Sequence, residues 1–196
     1  MRIIGGSARA TRLYSVTDPA LRPMLDRVKE PLFAIFRHLV EGAHALDLFS
    51  GSGSLGLEAL SRGASSCVFV EQHPPFLKLI RRNVERCRFE DRSEIVRADA
   101  LRLRMPRPGL PGLPADLVFV DPPYALVDDA DGRMRLFEML DGLIGAWVAP
   151  EAVLALHHRP TPLAEWPSDR LAEWDRRVYG HSQLTFFEIS REAADD

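Results

Sequence analysis

A short motif of one acid, two prolines and one aromatic residue follows the fourth predicted strand of this chain. It consists of Asp121, Pro122, Pro123 and Tyr124. An exocyclic amine on a nucleic-acid base is a poor nucleophile because its lone pair is delocalised into the ring, so both of its hydrogens need acceptors. The Asp121 carboxylate and the Pro122 carbonyl can accept them, and Tyr124 can stack on the base. The motif favours methyl transfer to such an amine over a plain proline-rich turn.

A glycine-rich loop follows the first predicted strand and opens a helix. It has glycines at Gly51, Gly53 and Gly56, and Glu71 ends the second predicted strand twenty positions after Gly51. Such glycines let the backbone approach a ligand at the carboxyl edge of a sheet, and the acid can accept both hydroxyls of a ribose. The loop and Glu71 fit NAD and S-adenosylmethionine equally well, and the motif after the fourth strand favours the second.

Two further acids lie where a cofactor could meet them. Asp99 comes shortly after the third predicted strand and can accept the adenine amino group, or it is a lone surface acid. Asp47, in the first predicted strand, lies either near the amino group of the methionine part or in a local turn. We expect both to contact the cofactor.

Several other residues resemble ligands but have a simpler interpretation. His157 and His158 end the fifth predicted strand, where packed or solvated histidines are expected. The acidic run 128–132 lacks the remaining ligands and the terminal glutamate of a calcium loop, so it predicts a mobile loop beside the active site. Cys67 and Cys87 are expected to be reduced core residues, and no metal site is predicted.

Short apolar runs alternate with amphipathic segments from residue 43 onward, which predicts a doubly wound α/β sheet. Strands are predicted at 45–49, 67–71, 93–96, 117–120 and 152–156, helices at about 54–62, 76–87 and 134–147, and a closing antiparallel hairpin at 177–179 and 184–187. The third and fourth strands are hydrophobic enough to be buried on both faces. Four prolines and two glycines make 105–114 a loop.

The amino-terminal region differs from the rest in charge. Residues 1–40 carry seven basic and three acidic residues, a balance of +4, which leaves −7 for the remainder of a chain with a net charge of −3. Residues 1–18 predict a small hairpin, and the helix that follows should start late or kink at Pro31. A basic segment on an acidic body fits a small footprint on a phosphate backbone. The arginines of 76–88 are interpreted as a solvated face.

Length and composition predict one ordinary globular domain. The chain has 196 residues, is 46% hydrophobic and 27% charged, and has no run of eighteen apolar residues that could cross a bilayer. No secretory signal is visible, so a cytoplasmic protein is expected. We divide the chain into an RNA-facing extension at 1–40, a methyltransferase domain at 41–190 and a disordered tail at 191–196.

Several strings of this sequence together resemble the RsmD family of bacterial 16S rRNA guanine-N2 methyltransferases, over nearly the whole chain. They are Arg2 to Gly6, Arg22-Pro23, Asp26 to Glu30, Leu32-Phe33, Leu46 to Ala64, Phe69 to Glu71, Asn83, Asp121 to Tyr124 and Val178 to Gly180. The string from Leu46 to Ala64 is far more specific than a bare glycine fingerprint.

The resemblance implies a Rossmann-like, seven-stranded class I S-adenosylmethionine-dependent methyltransferase sheet with an amino-terminal β-hairpin that helps to hold RNA. It implies a guanine of 16S rRNA, within the small ribosomal subunit or an assembly intermediate, that is flipped into the site. Asp121 to Tyr124 become the amine site. The implied cofactor contacts are Asp47, Phe49, Gly51, Gly53, Glu71, Asp99 and Ala100. The implied RNA contacts are Arg9, Arg12, Arg22 and Arg27. A monomer without metal is expected.

The sequence departs from this family pattern at a few positions. Met24 stands where members have threonine, and Ala8-Arg9-Ala10 where they have an Arg-Gly-Arg run. These positions bear on RNA contacts rather than on cofactor binding. Three alternatives stay open: a DNA or protein amide methyltransferase, an NAD-dependent oxidoreductase, and an RNA-binding module without catalytic activity.

Overall fold

A computed structural model describes residues 1–15, 26–103, 105–106, 109–161 and 166–190, and for Asp26 and Arg27 it describes the backbone only. The predicted tail at 191–196 lies outside the described residues. Among the described helices, none is long and apolar enough to cross a membrane.

The described residues form an α/β domain. Its helices are α1 (Asp26–Ile35), α2 (Ser54–Ser61), α3 (Pro74–Cys87), α4 (Tyr124–Asp128) and α5 (Ala130–Leu143). Its strands are β1 (His44–Leu48), β2 (Ser66–Glu71), β3 (Ser93–Arg97), β4 (Ala115–Val120), β5 (Val148–His158), β6 (Leu171–Tyr179) and β7 (Ser182–Ile189). The strands and helices predicted from the pattern are all present, with bounds that differ by a few residues.

All seven strands lie in one sheet, in the order β3-β2-β1-β4-β5-β7-β6. Strands β1 to β5 pair in parallel, and β7 pairs antiparallel with both β5 and β6. The chain runs outward from β1 to β3 and then returns to β4, so the direction of winding reverses between β1 and β4. Ligands of open α/β sheets bind at such a reversal, outside the carboxyl ends of the strands. The predicted doubly wound sheet and closing hairpin are confirmed.

Helices cover both faces of the sheet, which explains why its strands have continuous apolar runs. In β4, Leu117 and Phe119 pack in one core with α1, α2 and α3, whereas Val118 and Val120 pack in the other with α5. Successive strand residues point to opposite faces, so a strand between two layers needs apolar residues at every position. Cys67 is buried in the first core, and its thiol is free.

Two local predictions are wrong, and one of the two outcomes predicted for a third region is excluded. Strand β3 is not covered on both faces: it is the edge of the sheet, and four of its five residues are only partly buried. Helix α1 begins at Asp26 and contains Pro31, so the late start is excluded and the kink at Pro31 stays a prediction. The acidic run 128–132 is not a loop, because Asp129 caps α5 by accepting a hydrogen bond from the Gly132 N–H at 2.7 Å.

The amino-terminal segment, residues 1–15, folds back on itself and docks on α2. Arg2 and Arg12 form an antiparallel bridge, so the predicted hairpin exists, as a minimal pairing without regular strands. Gly6 has φ 74°, and a Cβ there would lie 1.7 Å from the Ser61 carbonyl oxygen, so only glycine allows this approach. Ile3 is completely buried. The segment is therefore part of the core packing.

One carboxylate in α2 holds this segment in place. Glu58 is completely buried and accepts hydrogen bonds from the Ile4 and Gly5 N–H groups, each at 2.8 Å. It also forms ion pairs with Lys29 of α1 at 3.3 Å and with Arg62 at 2.8 Å. A buried charge is tolerated only when it is paired and hydrogen-bonded, and Glu58 meets both conditions. Its contacts join three elements that are far apart in sequence.

Candidate active site

The carboxyl ends of the parallel strands bring the predicted site residues to one edge of the sheet. Strand β1 runs into the glycine-rich loop, β2 ends on Glu71, and β4 is followed directly by Asp121. Two hydrogen bonds connect these segments. The Gly51 N–H of the loop donates to Glu71 Oε2 at 2.9 Å, and the Asp121 N–H donates at 3.3 Å to the carbonyl of Leu48, the last residue of β1. Residues from three separate motifs thus meet at the reversal point.

The glycine-rich loop has one open face and one packed face. Phe49 and Gly51 adopt left-handed conformations, with φ 58° and 55°. A Cβ on Gly51 would meet nothing closer than the Phe49 carbonyl oxygen at 4.0 Å, whereas a Cβ on Gly53 would lie 3.3 Å from the Phe69 ring. Gly51 therefore leaves room for a ligand against the backbone, and Gly53 fits the loop to β2.

Glu71 already has hydrogen-bond donors from the protein. Its Oε1 accepts from the N–H groups of Gln72 and His73 at 2.8 and 2.9 Å, and its Oε2 accepts from Gly51. A carboxylate offers about four lone-pair positions, so three are used. The remaining one, on Oε2, is available to a further donor, and the ribose contact of Glu71 stays a prediction.

The other predicted cofactor contacts have different surroundings. Asp47 is 1% exposed and accepts from the Gly56 N–H at 2.9 Å, so it anchors the start of α2. Burial raises the pKa of its carboxyl well above the ordinary value, which the Gly56 hydrogen bond offsets only in part. Asp99 is partly exposed, follows β3 and accepts from the Leu101 N–H at 3.1 Å, and Ala100 beside it is buried.

Asp121 forms a close pair with a histidine from the next strand. Val120 and Leu156 are register partners in β4 and β5, so Asp121 and His157 follow them side by side. Asp121 Oδ1 lies 2.7 Å from His157 Nδ1, and the two side chains are 25% and 4% exposed. The sequence pattern predicts a packed or solvated residue at His157. It is packed, but it also contacts the acid of the predicted amine site.

Tyr124 extends this pair into a chain of polar groups. Its hydroxyl lies 3.3 Å from His157 Nε2 and 3.3 Å from the Ser182 hydroxyl. The Arg159 guanidinium lies over the Tyr124 ring, 5.0 Å from its centroid, and also binds Asp128 at 2.9 Å. One face of the ring is therefore occupied, and a base that stacks on Tyr124 has to use the other face or displace Arg159.

Hydrogen-bond chemistry identifies the donor between His157 and Asp121. A carboxylate oxygen can only accept, so His157 Nδ1 must donate to Asp121. In a neutral imidazole Nε2 is then an acceptor, so the Tyr124 hydroxyl can donate either to it or to the Ser182 hydroxyl. The arrangement holds Asp121 Oδ1 in place and leaves its second oxygen for another donor.

The arginines expected to contact RNA are described only in part. Arg9 and Arg12 are at least partly exposed in the amino-terminal segment. Arg22 lies outside the described residues, and Arg27 is described by its backbone alone. In the described ranges, no group of three or more His, Cys, Asp or Glu side chains is arranged to hold a metal ion.

His157 is the residue that sequence reasoning undervalues. Its position immediately after an apolar strand run is visible, as is that of Asp121 after the preceding parallel strand. Adjacent parallel strands bring the residues that follow them together at one edge. That placement, rather than the residue type, is the signal that could have identified the pair.

Comparison with known proteins gives consistent matches over the whole domain. A family model described as "Conserved hypothetical protein 95" matches residues 1–188. The ribosomal RNA small subunit methyltransferase D of Escherichia coli K12 is 33% identical over 177 residues, which is 87% of this chain and 83% of that protein.

Solved protein structures also resemble this chain. The Escherichia coli protein yhhF has a TM-score of 0.79 at 26% identity and covers 97% of this chain, 98% of its own. An RNA methyltransferase from Salinibacter ruber, crystallised with S-adenosyl-L-homocysteine, has a TM-score of 0.64 at 16% identity. The match covers 89% of this chain and 98% of that protein, and it shows that the two share a fold. The chain belongs to the family of the ribosomal RNA small subunit methyltransferase D proteins, the RsmD family.

Proposed function

We propose that this protein transfers the methyl group of S-adenosylmethionine to the exocyclic N2 of a guanine in 16S rRNA. The observation that carries the proposal is the position of Asp121, directly after β4 and hydrogen-bonded to the end of β1, where the glycine-rich loop begins. A cofactor on the loop and an amine at Asp121 would be neighbours there. Membership of the methyltransferase D family supports both the reaction and the RNA substrate.

The residues around the loop fit S-adenosylmethionine. The open face at Gly51 gives the cofactor access to the backbone beside Phe49, and the spare lone pair of Glu71 can accept a ribose hydroxyl. Asp99 and Ala100, which follow β3, would contact the adenine. Asp47 and Gly53 would hold the glycine-rich loop in place on its packed side, because both pack into the protein. When bound, the cofactor would supply a methyl group attached to a positively charged sulfur, and the electron pair of the C–S bond would remain on that sulfur.

The protein's task is to orient the amine and to remove one proton. Asp121, held by His157, would accept one N2–H, and the Pro122 carbonyl the other, so that the nitrogen lone pair faces the methyl carbon. As the new N–C bond forms, the nitrogen gives up a proton, and Asp121 takes it as general base. Pro122 and Pro123 restrict the backbone here, and Tyr124 would pack against the base. Metal ions are not needed for this step.

We propose that the RNA is bound as part of the small ribosomal subunit or an assembly intermediate, in the cytoplasm, by one copy of the chain. The target guanine must leave its stack to reach the site, at a cost of a few kcal/mol. Arg9 and Arg12 of the amino-terminal segment, with Arg22 and Arg27, would contact the phosphates around it.

The deciding experiment incubates the protein with labelled S-adenosylmethionine and small ribosomal subunits that lack the modification, with duplex DNA in parallel. Nucleoside mass spectrometry then identifies the product. We expect N2-methylguanosine in the RNA alone. Label in DNA or in protein would reject the substrate, and no label anywhere would reject the activity and favour an RNA-binding module.

Substitution of the proposed base tests the site itself. Asp121→Ala should abolish methyl transfer while the affinity for S-adenosylmethionine, measured by calorimetry, stays within about threefold, because the carboxylate acts on the amine and not on the cofactor. An equal loss of both would show that Asp121 belongs to the cofactor site instead.

A further inference from the structure

Tyr14, near the end of the described amino-terminal segment, is fixed against helix α3. Its backbone N–H donates to Asn83 Oδ1 at 2.7 Å, and Asn83 Nδ2 donates to the Tyr14 carbonyl at 3.0 Å. Asn83 is completely buried and also donates to the Ser52 carbonyl at 2.9 Å, in the glycine-rich loop. One buried amide therefore joins the amino-terminal segment, α3 and the loop that faces the cofactor.

Two arginines of α3 converge on the Tyr14 ring. The guanidinium of Arg82 lies 4.0 Å from the ring centroid and that of Arg86 lies 4.9 Å from it, and Arg86 also donates to the Tyr14 hydroxyl at 3.0 Å. Arg82, followed by Arg86, lowers the pKa of the Tyr14 hydroxyl below its ordinary value, as expected near concentrated positive charge. Tyr14 as a whole residue stays 38% exposed. Cation–π contacts thus gather two like charges at the surface.

These arginines belong to a larger positive surface, which we call the α3 basic face. It consists of Lys78, Arg81, Arg82, Arg86 and Arg88, all exposed, with Glu85 as the acid among them. Five cations and one anion give a balance of +4 on a chain whose net charge is −3. Both Arg82 and Arg86 pack on the Tyr14 ring, so aromatic contacts help to hold the two guanidinium groups side by side.

We propose that the α3 basic face and Tyr14 bind the sugar-phosphate backbone of the rRNA that flanks the target guanine. The inference rests on the proposed function, since it places the flanking strand beside the site to which that guanine is delivered. Guanidinium groups are suited to phosphate oxygens, and the Tyr14 ring holds two of them together at the surface. The face adjoins the amino-terminal segment through Tyr14, so it extends the footprint of Arg9 and Arg12 toward the glycine-rich loop. The proposal replaces the interpretation of these arginines as a solvated face.

The test compares two double variants of the full chain that remove the same charge. Arg82→Gln with Arg86→Gln alters the proposed surface. Arg135→Gln with Arg177→Gln is the control, because these exposed residues lie on α5, across the sheet, and on the edge strand β6.

For the variant with Arg82→Gln and Arg86→Gln we expect the KM for the unmodified subunits to rise about tenfold at roughly 0.1 M salt. The plot of log affinity for 16S rRNA against log salt should become shallower by about 1 to 2, because each phosphate that is no longer neutralised removes about one from the slope. The kcat at saturating substrate and the cofactor affinity should stay within about twofold.

A second variant separates RNA binding from docking of the amino-terminal segment. Lys78→Gln with Arg81→Gln alters the same face away from Tyr14, and it should also reduce the salt slope by about 1 to 2. An unchanged slope in this variant, or equal effects of the α3 and control variants, would overturn the inference. Failure of the wild-type protein to form N2-methylguanosine would instead reject the proposed function. The binding slopes are measured independently of turnover, so the two failures are distinguishable.

Discussion

At the scale of single residues, the proposed mechanism requires that the Asp121 carboxylate is held in one orientation. Asp121 is 25% exposed and could rotate toward solvent, but His157 is almost fully buried and bonds its Oδ1 at 2.7 Å. His157 is in turn fixed by its contact with the Tyr124 hydroxyl. If Asp121 is the base that we propose, His157 should be a positioning residue that affects the amine only through Asp121.

Two substitutions of His157 test which ring nitrogen matters. The amide nitrogen of asparagine falls near the position of Nδ1, and that of glutamine falls near Nε2. His157→Asn should therefore keep the donor to Asp121 and a kcat within about fivefold of wild type, whereas His157→Gln should lower kcat by about 100-fold through misorientation. Single-turnover kinetics on unmodified subunits measures both, with KM as the control, since neither should change it strongly. Equal losses in the two variants would indicate a purely structural role.

At the scale of elements, the amino-terminal segment is positioned by buried polar contacts rather than by a long hairpin. Its antiparallel pairing is short, and Glu58 of α2 supplies acceptors for two of its N–H groups. Lys29 of α1 lies in the same cluster, 0% exposed, and also donates to the Arg2 carbonyl at 2.8 Å. The amino-terminal segment and the rest of the domain are consequently stabilised together.

Removal of this carboxylate should destabilise the whole domain. Glu58→Ala removes the carboxylate that accepts from the Ile4 and Gly5 N–H groups and pairs with buried Lys29, so we expect the free energy of unfolding to fall by about 3 to 5 kcal/mol in urea titrations. Glu85→Ala, on the exposed surface of α3, is the control and should change it by less than about 0.5 kcal/mol. A decrease below about 1 kcal/mol for Glu58→Ala would show that the cluster does not hold the segment.

At the scale of the whole molecule, a buried histidine links stability to pH. His158 is completely buried, Nε2 lies 2.9 Å from the Thr185 hydroxyl, and Nδ1 lies 2.6 Å from the Arg159 carbonyl. Burial lowers its pKa to about 4, assisted by the electrostatic influence of the neighbouring His157 and Arg176 side chains and opposed by the Arg159 hydrogen bond and Glu173. The unfolded chain, with an ordinary histidine pKa near 6.5, therefore binds this proton first as the pH falls.

The stability that depends on neutral His158 should be fully present above about pH 6.5 and decrease as the pH falls toward about 4. The expected decrease for this group is about 3 kcal/mol, which urea titrations at about pH 7.5, 6, 5 and 4.5 can follow. His158→Asn should be less stable at neutral pH but show a flatter pH dependence. His181→Gln, at an exposed turn, should keep the wild-type dependence. An unchanged pH slope in His158→Asn would assign the acid sensitivity to other groups.

Two signals in the sequence determined most of the fold and the kind of site. Continuous apolar runs such as 117–120 indicate strands covered on both faces, so the doubly wound sheet followed from hydrophobicity alone. The glycine-rich loop and the motif at Asp121 follow such runs directly, so their place at the carboxyl edge was predictable. The sequence did not show that β3 is an edge strand, because the residue pattern of a strand does not indicate its position in the sheet.

The tertiary structure decided the contacts between distant parts of the chain. The pair of Asp121 and His157 depends on the register of β4 with β5, and that of Tyr14 with Arg82 and Arg86 depends on where the amino-terminal segment docks. Neither register nor docking is encoded in the residues nearby in sequence, because both result from packing the two layers on one sheet. The same packing decides which Glu71 oxygen stays available and which face of Tyr124 is covered. The sequence therefore determined the chemistry at the edge of the sheet, and only folding determined which side chains support it.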